Sequence, residues 1–130
     1  MVNKAVILMV ALTTSGSLYA GGRKTKIIIF DEVIGMPIVS IKTSDGKKRF
    51  VLDTGSNIST MNIRAEKSLS VSLAGKQFTL KFEPTQTEVF DRFQAMLPPS
   101  ERVDGILGSD FMRHFHRVTF DFKGSMVSFE

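Results

Sequence analysis

One short stretch limits the folds open to this chain more than any other. An apolar run, Phe50–Leu52, ends in Asp53 and is followed at once by Thr54, Gly55 and Ser56. The apolar run predicts a buried strand, because large and β-branched side chains suit a covered pleated surface. A carboxylate at the end of such a strand is costly to bury unless it is hydrogen-bonded or takes part in chemistry. Taken alone, the pattern also fits an ordinary strand-to-turn junction, where Asp-x-Gly is common.

A second stretch, Val103–Phe111, contains Ile106-Leu107-Gly108, which begins 53 positions after Asp53. Together with Val51-Leu52-Asp53-Thr54-Gly55-Ser56, it resembles the motifs of the aspartic peptidases of the pepsin and retroviral-protease superfamily. In that superfamily, a strand ending in Asp-Thr/Ser-Gly is threaded through a loop closed by an apolar-apolar-Gly segment of the same half. The resemblance covers roughly residues 25–130. It extends to Asp110-Phe111-Met112 and Val118–Phe122, which are similar to the family's helix and closing strand.

The resemblance implies a retropepsin-like all-β lobe, a closed barrel or sandwich with one or two short helices. A chain of 130 residues fits one domain that can bury a real core. Pepsin-type enzymes carry two Asp-Thr/Ser-Gly lobes, whereas this sequence has one and shows no internal repeat. An enzyme of this type would therefore be a homodimer, with one Asp53 from each chain.

For function, the resemblance implies an aspartic endopeptidase that acts on a protein or peptide substrate, with no cofactor and no metal. Two Asp53 carboxylates would share one proton and activate a water. The Thr54 hydroxyl would hydrogen-bond across the dimer axis. Gly55 would bring its backbone N–H to the carboxylate, and the Ser56 hydroxyl would donate to its outer oxygen. The closing loop would consist of Ile106, Leu107 and Gly108.

One family feature is missing between the two motifs. Active members carry a flap, a β-hairpin with a Gly-rich tip that closes over the substrate, but residues 62–80 contain a single glycine, Gly75. We expect Ser68–Phe82 to match the strands after the flap, so that the chain passes from Met61 to Lys67 without one. Two hypotheses therefore stay open. One is the endopeptidase, and the other is a non-catalytic peptide-binding or scaffold domain derived from such an enzyme.

Residues 1–20 predict an export signal. Lys4 precedes an apolar run, Ala5–Leu12, and small or polar residues follow. A run of eight is too short to span a bilayer but suits the core of a signal peptide. We expect removal near Ala20, which leaves residues 21–130 as one exported domain, periplasmic or secreted, with no stable membrane span. The alternative is a native first strand or an interfacial anchor.

Composition excludes several other functions. The sequence has no cysteine, so it has no disulfide, no thiol nucleophile and no thiolate metal site. The net charge of +4 is modest, and no cluster of basic residues with aromatic residues indicates nucleic-acid binding.

His114 and His116 form a His-x-His pair, but no third His completes a zinc site, and we interpret both as structural. Asp104 and Asp110 are interpreted as turn and cap residues.

The remaining pattern predicts strands joined by hairpins and two short helices. The predicted strands cover residues 27–30, 37–41, 49–52, 57–61, 70–73, 77–82, 118–122 and 126–129. Apolar residues at helical spacing predict a helix within residues 85–97, with Thr85 or Thr87 as its cap and Pro98-Pro99 as its stop. Ser109 is expected to cap a second helix that reaches about Phe115.

Overall fold

The computed structural model describes residues 24–130, so the predicted export segment at residues 1–20 lies outside the described residues. Strands dominate this part of the chain. They are β1 (Lys26–Ile29), β2 (Asp31–Val33), β3 (Met36–Thr43), β4 (Gly46–Leu52), β5 (Thr60–Met61), β6 (Lys67–Leu73), β7 (Lys76–Pro84), β8 (Gly105–Leu107), β9 (Val118–Asp121) and β10 (Met126–Phe129). The α-helices are α1 (Thr87–Ala95) and α2 (Ser109–Met112), and a 3-10 turn covers Pro99–Glu101.

Six of the strands close into a barrel. Their order is β3-β4-β8-β5-β7-β6, and the pair Thr43↔Val71 returns β6 to β3. Strand β2 extends the sheet beyond β3, and a separate antiparallel sheet has the order β1-β10-β9. The closed all-β barrel with two short helices predicted from the sequence is therefore confirmed. Within residues 24–130, no helix is both long and apolar enough to cross a membrane.

Large apolar side chains fill the main core. Its phenylalanines and their aliphatic neighbours alternate along the strands, as a pleated surface with one buried side requires. The most deeply buried members are Val39, Ile41, Phe50, Val71, Phe82, Leu107, Phe111, Val127 and Phe129. The rings of Phe50 and Phe82 stack with their centroids 5.5 Å apart, which links the first half of the barrel to the second.

Strand β8 determines where the two motifs meet. It pairs in parallel with β4, from Phe50↔Gly105 to Leu52↔Leu107, and antiparallel with β5 on its other edge. Gly105 permits this close packing, because a Cβ there would collide with the backbone carbonyl oxygen of Thr60. The end of β4, which carries the Asp-Thr-Gly, is therefore held beside the end of β8, which carries the apolar-apolar-Gly.

A smaller apolar cluster attaches α1 to the barrel. The helix buries Phe90 and the following Leu97 against Ile38 of β3 and Val51 of β4, together with Val103. The Gln94 side chain adds two hydrogen bonds to the Val103 backbone, one donated to its carbonyl at 2.6 Å and one accepted from its N–H at 3.3 Å. Helix α1 is thus fixed on the barrel face that carries the end of β4.

Several local predictions were wrong. The strand predicted over residues 57–61 is limited to Thr60–Met61, because the preceding residues form a loop bound by the second motif. Strand β2 was not predicted. Its turn to β3 uses Ile34 and Gly35, both with positive φ, and a β-branched residue gives no signal for such a turn.

The predicted helix caps were also wrong. Gln86 precedes α1 and Gly108 precedes α2, and neither makes a side-chain cap hydrogen bond. Thr85, Thr87 and Ser109 are therefore not the capping residues. Helix α2 ends at Met112, and turns rather than helix continue to Phe115.

Candidate active site

The Asp53 carboxylate is held by its own loop. The Gly55 N–H donates to Oδ1 at 2.9 Å, and the Ser56 hydroxyl donates to Oδ2 at 2.8 Å. The Asp53 N–H in turn donates to the Leu107 carbonyl oxygen at 3.0 Å. The two contacts that the family resemblance implied for Gly55 and Ser56 are present in the structure. Each carboxylate oxygen thus has one donor, and the side chain stays partly exposed.

The tip of this loop faces outward. Thr54 and Gly55 are both exposed, and Ile58 is 54% exposed although it is a large apolar residue. A Cβ at Gly55 would lie 3.2 Å from Asp53 Oδ1, so a side chain there would crowd the carboxylate. The role predicted for the Thr54 hydroxyl requires a second chain and stays a prediction.

The segment that contains the second motif, Ile106-Leu107-Gly108, contacts the same loop through its backbone. The Ser109 N–H donates to the Ser56 carbonyl oxygen at 2.7 Å. Gly108 passes so close that a Cβ would lie 2.5 Å from that oxygen and 3.1 Å from the Ile58 carbonyl oxygen. Gly108 has an extended backbone with φ −96°, so space rather than conformational freedom requires glycine here.

The Asp110 carboxylate, which the sequence suggested as a cap residue, also holds the loop that follows Asp53. Asp110 Oδ1 accepts from the Ser59 hydroxyl at 2.6 Å, and Oδ2 accepts from the Ser59 N–H at 2.9 Å. The Ser59 oxygen accepts from the Gly108 N–H at 3.0 Å, and Ser59 is fully buried. The network therefore joins the loop after Asp53 to the start of α2. Its only sequence signal is an Asp placed two residues after Gly108.

Removing the Asp110 carboxylate is expected to destabilise the protein. Asp110→Ala leaves the buried Ser59 hydroxyl and N–H without their acceptor, which costs about 2 kcal/mol. Denaturant unfolding measures this loss. Ser59→Ala should cost less, because it removes only the hydroxyl, and Asp91→Ala on the exposed face of α1 should cost nothing measurable. Equal stability of the Asp110 and Asp91 variants would show that the network contributes nothing.

An apolar pocket of about 310 Å³ adjoins Asp53. Asp53, Ser56 and Thr60 are among its polar lining residues, and α1 supplies three of its apolar ones. The other lining residues are Met36, Val51, Thr85, Gln86, Val89, Phe90, Phe93 and Ile106. An apolar concave surface with a few convergent polar groups is the usual form of a binding site. The sequence predicted α1 but not its position beside Asp53.

Two other titratable side chains that the sequence analysis singled out make structural contacts. The His114 ring stacks on Phe78 with centroids 3.9 Å apart, as expected of a structural residue. Asp104 accepts from the Arg49 N–H at 2.9 Å and so ties the connection before β8 to β4. No group of three or more His, Asp or Glu side chains in the described part of the chain is arranged to hold a metal ion.

Two surface groups have shifted pKa values. The pKa of Asp45 is lowered, mainly by its hydrogen bond and ion pair with Lys67 and further by Lys48. The pKa of Lys81 is raised by its contacts with Glu83 and Glu66. Asp45 lies in the β3–β4 turn and Lys81 on β7, and both side chains are exposed, so they mark surface ion pairs rather than a reactive site.

Comparison with solved structures identifies the fold. No protein-family model and no curated protein matches the sequence. The structure is similar to that of a retropepsin-like aspartic protease from Rickettsia conorii, with a TM-score of 0.53 over 81% of this chain and 88% of that chain. The described residues therefore have the retropepsin-like fold, although the two sequences are only 17% identical. The fold inferred from the two motifs is confirmed, and the catalytic role of Asp53 remains a prediction.

Proposed function

We propose that this protein is an aspartic endopeptidase that hydrolyses peptide bonds in protein or peptide substrates. The main observation in support of this proposal is the Asp53 carboxylate, which has one hydrogen-bond donor on each oxygen and lies in the lining of an apolar pocket. The retropepsin-like fold adds support, because the similar solved structure is that of an aspartic protease.

The proposed enzyme is a symmetric dimer, because one chain supplies one Asp-Thr-Gly. Two Asp53 carboxylates face each other across the axis at about 3 Å and share one proton, since two like charges so close do not both ionise. The exposed loop tip, with Thr54, Gly55 and Ile58, supports this assembly because it leaves apolar and hydroxyl groups for a partner to cover.

In the proposed reaction, the ionised Asp53 takes a proton from a bound water as the water oxygen attacks the scissile carbonyl carbon. The protonated Asp53 donates a hydrogen bond, and then its proton, to the carbonyl oxygen as negative charge develops there. The resulting diol collapses when the peptide nitrogen receives the proton that the pair took from water and leaves as an amine, while one diol hydroxyl gives its proton to the other carboxylate and restores the singly protonated pair. Gly55 and Ser56 keep both carboxylates oriented through these steps, and neither a metal nor an acyl-enzyme takes part.

The direct test is cleavage of an unfolded protein substrate between about pH 3 and pH 7. We expect cleavage with a maximum below neutral pH, where the carboxylate pair holds one proton. A compound that mimics the tetrahedral intermediate should block it, since such mimics bind far more tightly than substrates. If the protein cleaves nothing at any pH in this range, the proposal is wrong.

Assembly gives an independent prediction. Sedimentation at increasing concentration should show a dimer. The inhibitor, the compound that mimics the tetrahedral intermediate, should shift the equilibrium between monomer and dimer further toward the dimer. Thr54→Lys should dissociate the dimer, because it places two like charges at the axis. Thr79→Lys on the exposed side of β7 is the matched control and should leave the dimer intact. A parent protein that stays monomeric at high micromolar concentration, with and without inhibitor, contradicts the proposed enzyme.

One observation favours the second candidate function, a non-catalytic peptide-binding or scaffold domain. Only residues 62–66 connect β5 to β6, so the expected passage from Met61 to Lys67 without a flap is seen in the structure. A site that no hairpin closes excludes water poorly and holds substrate weakly. This candidate predicts peptide binding at the Asp53 pocket without cleavage.

Export is proposed on the pattern of residues 1–20 alone. The charge at Lys4 and the short apolar run after it support removal of this segment in a secretory system. N-terminal sequencing of the exported protein should find a start near Gly21. An exported protein that still begins at Met1 would exclude removal.

A further inference from the structure

Helix α1 buries only part of its apolar surface in the core, and the rest is exposed. Phe90 is buried, as is Leu97 just beyond the helix end, and these two residues attach the segment to the barrel. Val89 and Met96, however, are 64% and 58% exposed. Val89, Phe93 and Met96 follow the i, i+4, i+7 spacing of one continuous helical stripe. This second stripe lies beside the buried one and is only partly buried, because Phe93 is half-buried while its two neighbours in the stripe are exposed.

The second stripe adjoins the candidate catalytic carboxylate. Val89 and Phe93 line the same pocket of about 310 Å³ as Asp53 and Ser56. Exposed apolar residues scattered over a surface need no explanation, but a row that continues into a pocket containing a reactive group indicates a binding surface. The row and the carboxylate therefore belong to one site.

Helix α1 is held in place rather than hinged. Beyond its apolar contacts, Gln94 binds the Val103 backbone through both ends of its amide. The connection from α1 to β8 is anchored by Arg49, whose guanidinium binds the Glu101 carboxylate at 3.1 Å and the Arg102 carbonyl oxygen at 3.3 Å. A surface preformed in this way loses little conformational entropy when a ligand packs on it.

We propose that α1 is the element that contacts the substrate in this protein. It does so in place of a hairpin between β5 and β6, and Val89 and Phe93 receive the side chain next to the scissile bond. This inference rests on the proposed endopeptidase. The occupant is an extended peptide with a large apolar side chain at that position, because Asp53 lies in the same pocket and the stripe carries no charge. Specificity is then determined by a fixed helix and not by a closing loop.

The test introduces a charge into the apolar stripe and leaves Asp53 unchanged. Val89→Glu places a carboxylate on the exposed stripe, where it disturbs no core packing. Ala95→Glu adds the same charge to the same helix at an exposed position outside the pocket lining and is the matched control. Cleavage sites are mapped in a peptide mixture with each protein, together with kcat and KM for one apolar substrate.

We expect Val89→Glu to lower kcat/KM for the apolar substrate at least about tenfold, mostly through KM, and to increase cleavage beside Lys and Arg. The Ala95→Glu protein should keep the parent's profile. Identical profiles for all three proteins would overturn the inference. So would a loss of dimer in the Val89→Glu protein alone, because the stripe would then be covered by a second copy of the chain.

The same variants separate this inference from the proposed function. If the parent cleaves nothing, the endopeptidase proposal fails, and binding of a fluorescent peptide rich in Leu and Phe becomes the readout. Binding that Val89→Glu weakens and Ala95→Glu preserves would still support α1 as the peptide-contacting element. Binding that is equal in all three proteins, or absent, would overturn it.

Discussion

Replacing Asp53 by Asn is expected to lower the cleavage of an unfolded protein by about 10⁴-fold, the upper end of the range for general acid–base catalysis. An amide neither takes a proton from water nor donates one to a developing oxyanion. In a homodimer the substitution removes both members of the pair at once, so no half-active site remains. The loss should appear in kcat rather than KM, because the apolar lining of the pocket is unchanged.

The fold should tolerate this change. In the parent, the Gly55 N–H donates to Asp53 Oδ1 at 2.9 Å, and the Asn side-chain oxygen can accept the same hydrogen bond. The Asn amide can donate to the Ser56 oxygen, whose hydroxyl then turns from donor to acceptor. In the dimer, the repulsion between two carboxylates also disappears, so thermal stability near neutral pH should be equal or higher.

Glu32→Gln is the matched control for this experiment. It removes one charge from an exposed residue of β2 that is outside the pocket lining, and it should leave cleavage unchanged. Cleavage by the Asp53→Asn protein at the parent's rate would show that the reaction does not depend on Asp53. The proposed mechanism with a pair of Asp53 carboxylates would then be wrong.

Gly108→Ala is expected to have the largest effect on stability, about 3 kcal/mol or more. The new Cβ would meet the Ser56 carbonyl oxygen at 2.5 Å and the Ile58 carbonyl oxygen at 3.1 Å. Both obstacles are backbone, so no side chain can move aside. For a domain of about 100 residues, the midpoint of thermal unfolding should fall by about 12 °C or more.

A second glycine distinguishes crowding from backbone strain. Gly35 has φ 74°, but a Cβ added there would have no neighbouring atom within 4 Å. Gly35→Ala should therefore cost only the strain of that backbone conformation, about 1 kcal/mol. The Gly108 variant should lose activity together with stability, because the displaced loop carries the Asp53 carboxylate. Equal losses for the two variants would mean that the loop at Ser56 yields to the added methyl group.

Local signals in the sequence were sufficient for much of the fold. Asp45-Gly46 has the chemistry of a tight turn, and the flanking strands pair from Thr43↔Gly46 to Ile38↔Val51 as expected. The hairpin around Ala74 and Gly75 also forms where alternation predicted it. Asp53 and its two donors lie within four consecutive residues, so their geometry follows from the loop itself.

The features that were not predicted depend on residues far apart in the chain. Ser59 and Asp110 are 51 positions apart, and no local pattern pairs a buried hydroxyl with a distant carboxylate. The position of α1 depends on how Phe90 and Leu97 fit between β3 and β4, which is a matter of tertiary packing rather than periodicity. Ile34 adopts positive φ because the β2–β3 turn requires it, against its own preference.

The location of β8 also determines when the site can exist during folding. This strand lies between β4 and β5 but is made after both of them, so its pairing must overcome the entropy of closing a long loop. Until it inserts, Asp53 lacks its contact with Leu107, and the loop after Asp53 lacks Gly108, Ser109 and Asp110. A growing chain therefore displays the Asp-Thr-Gly sequence well before it has a positioned carboxylate, and the site matures only with the nearly complete domain.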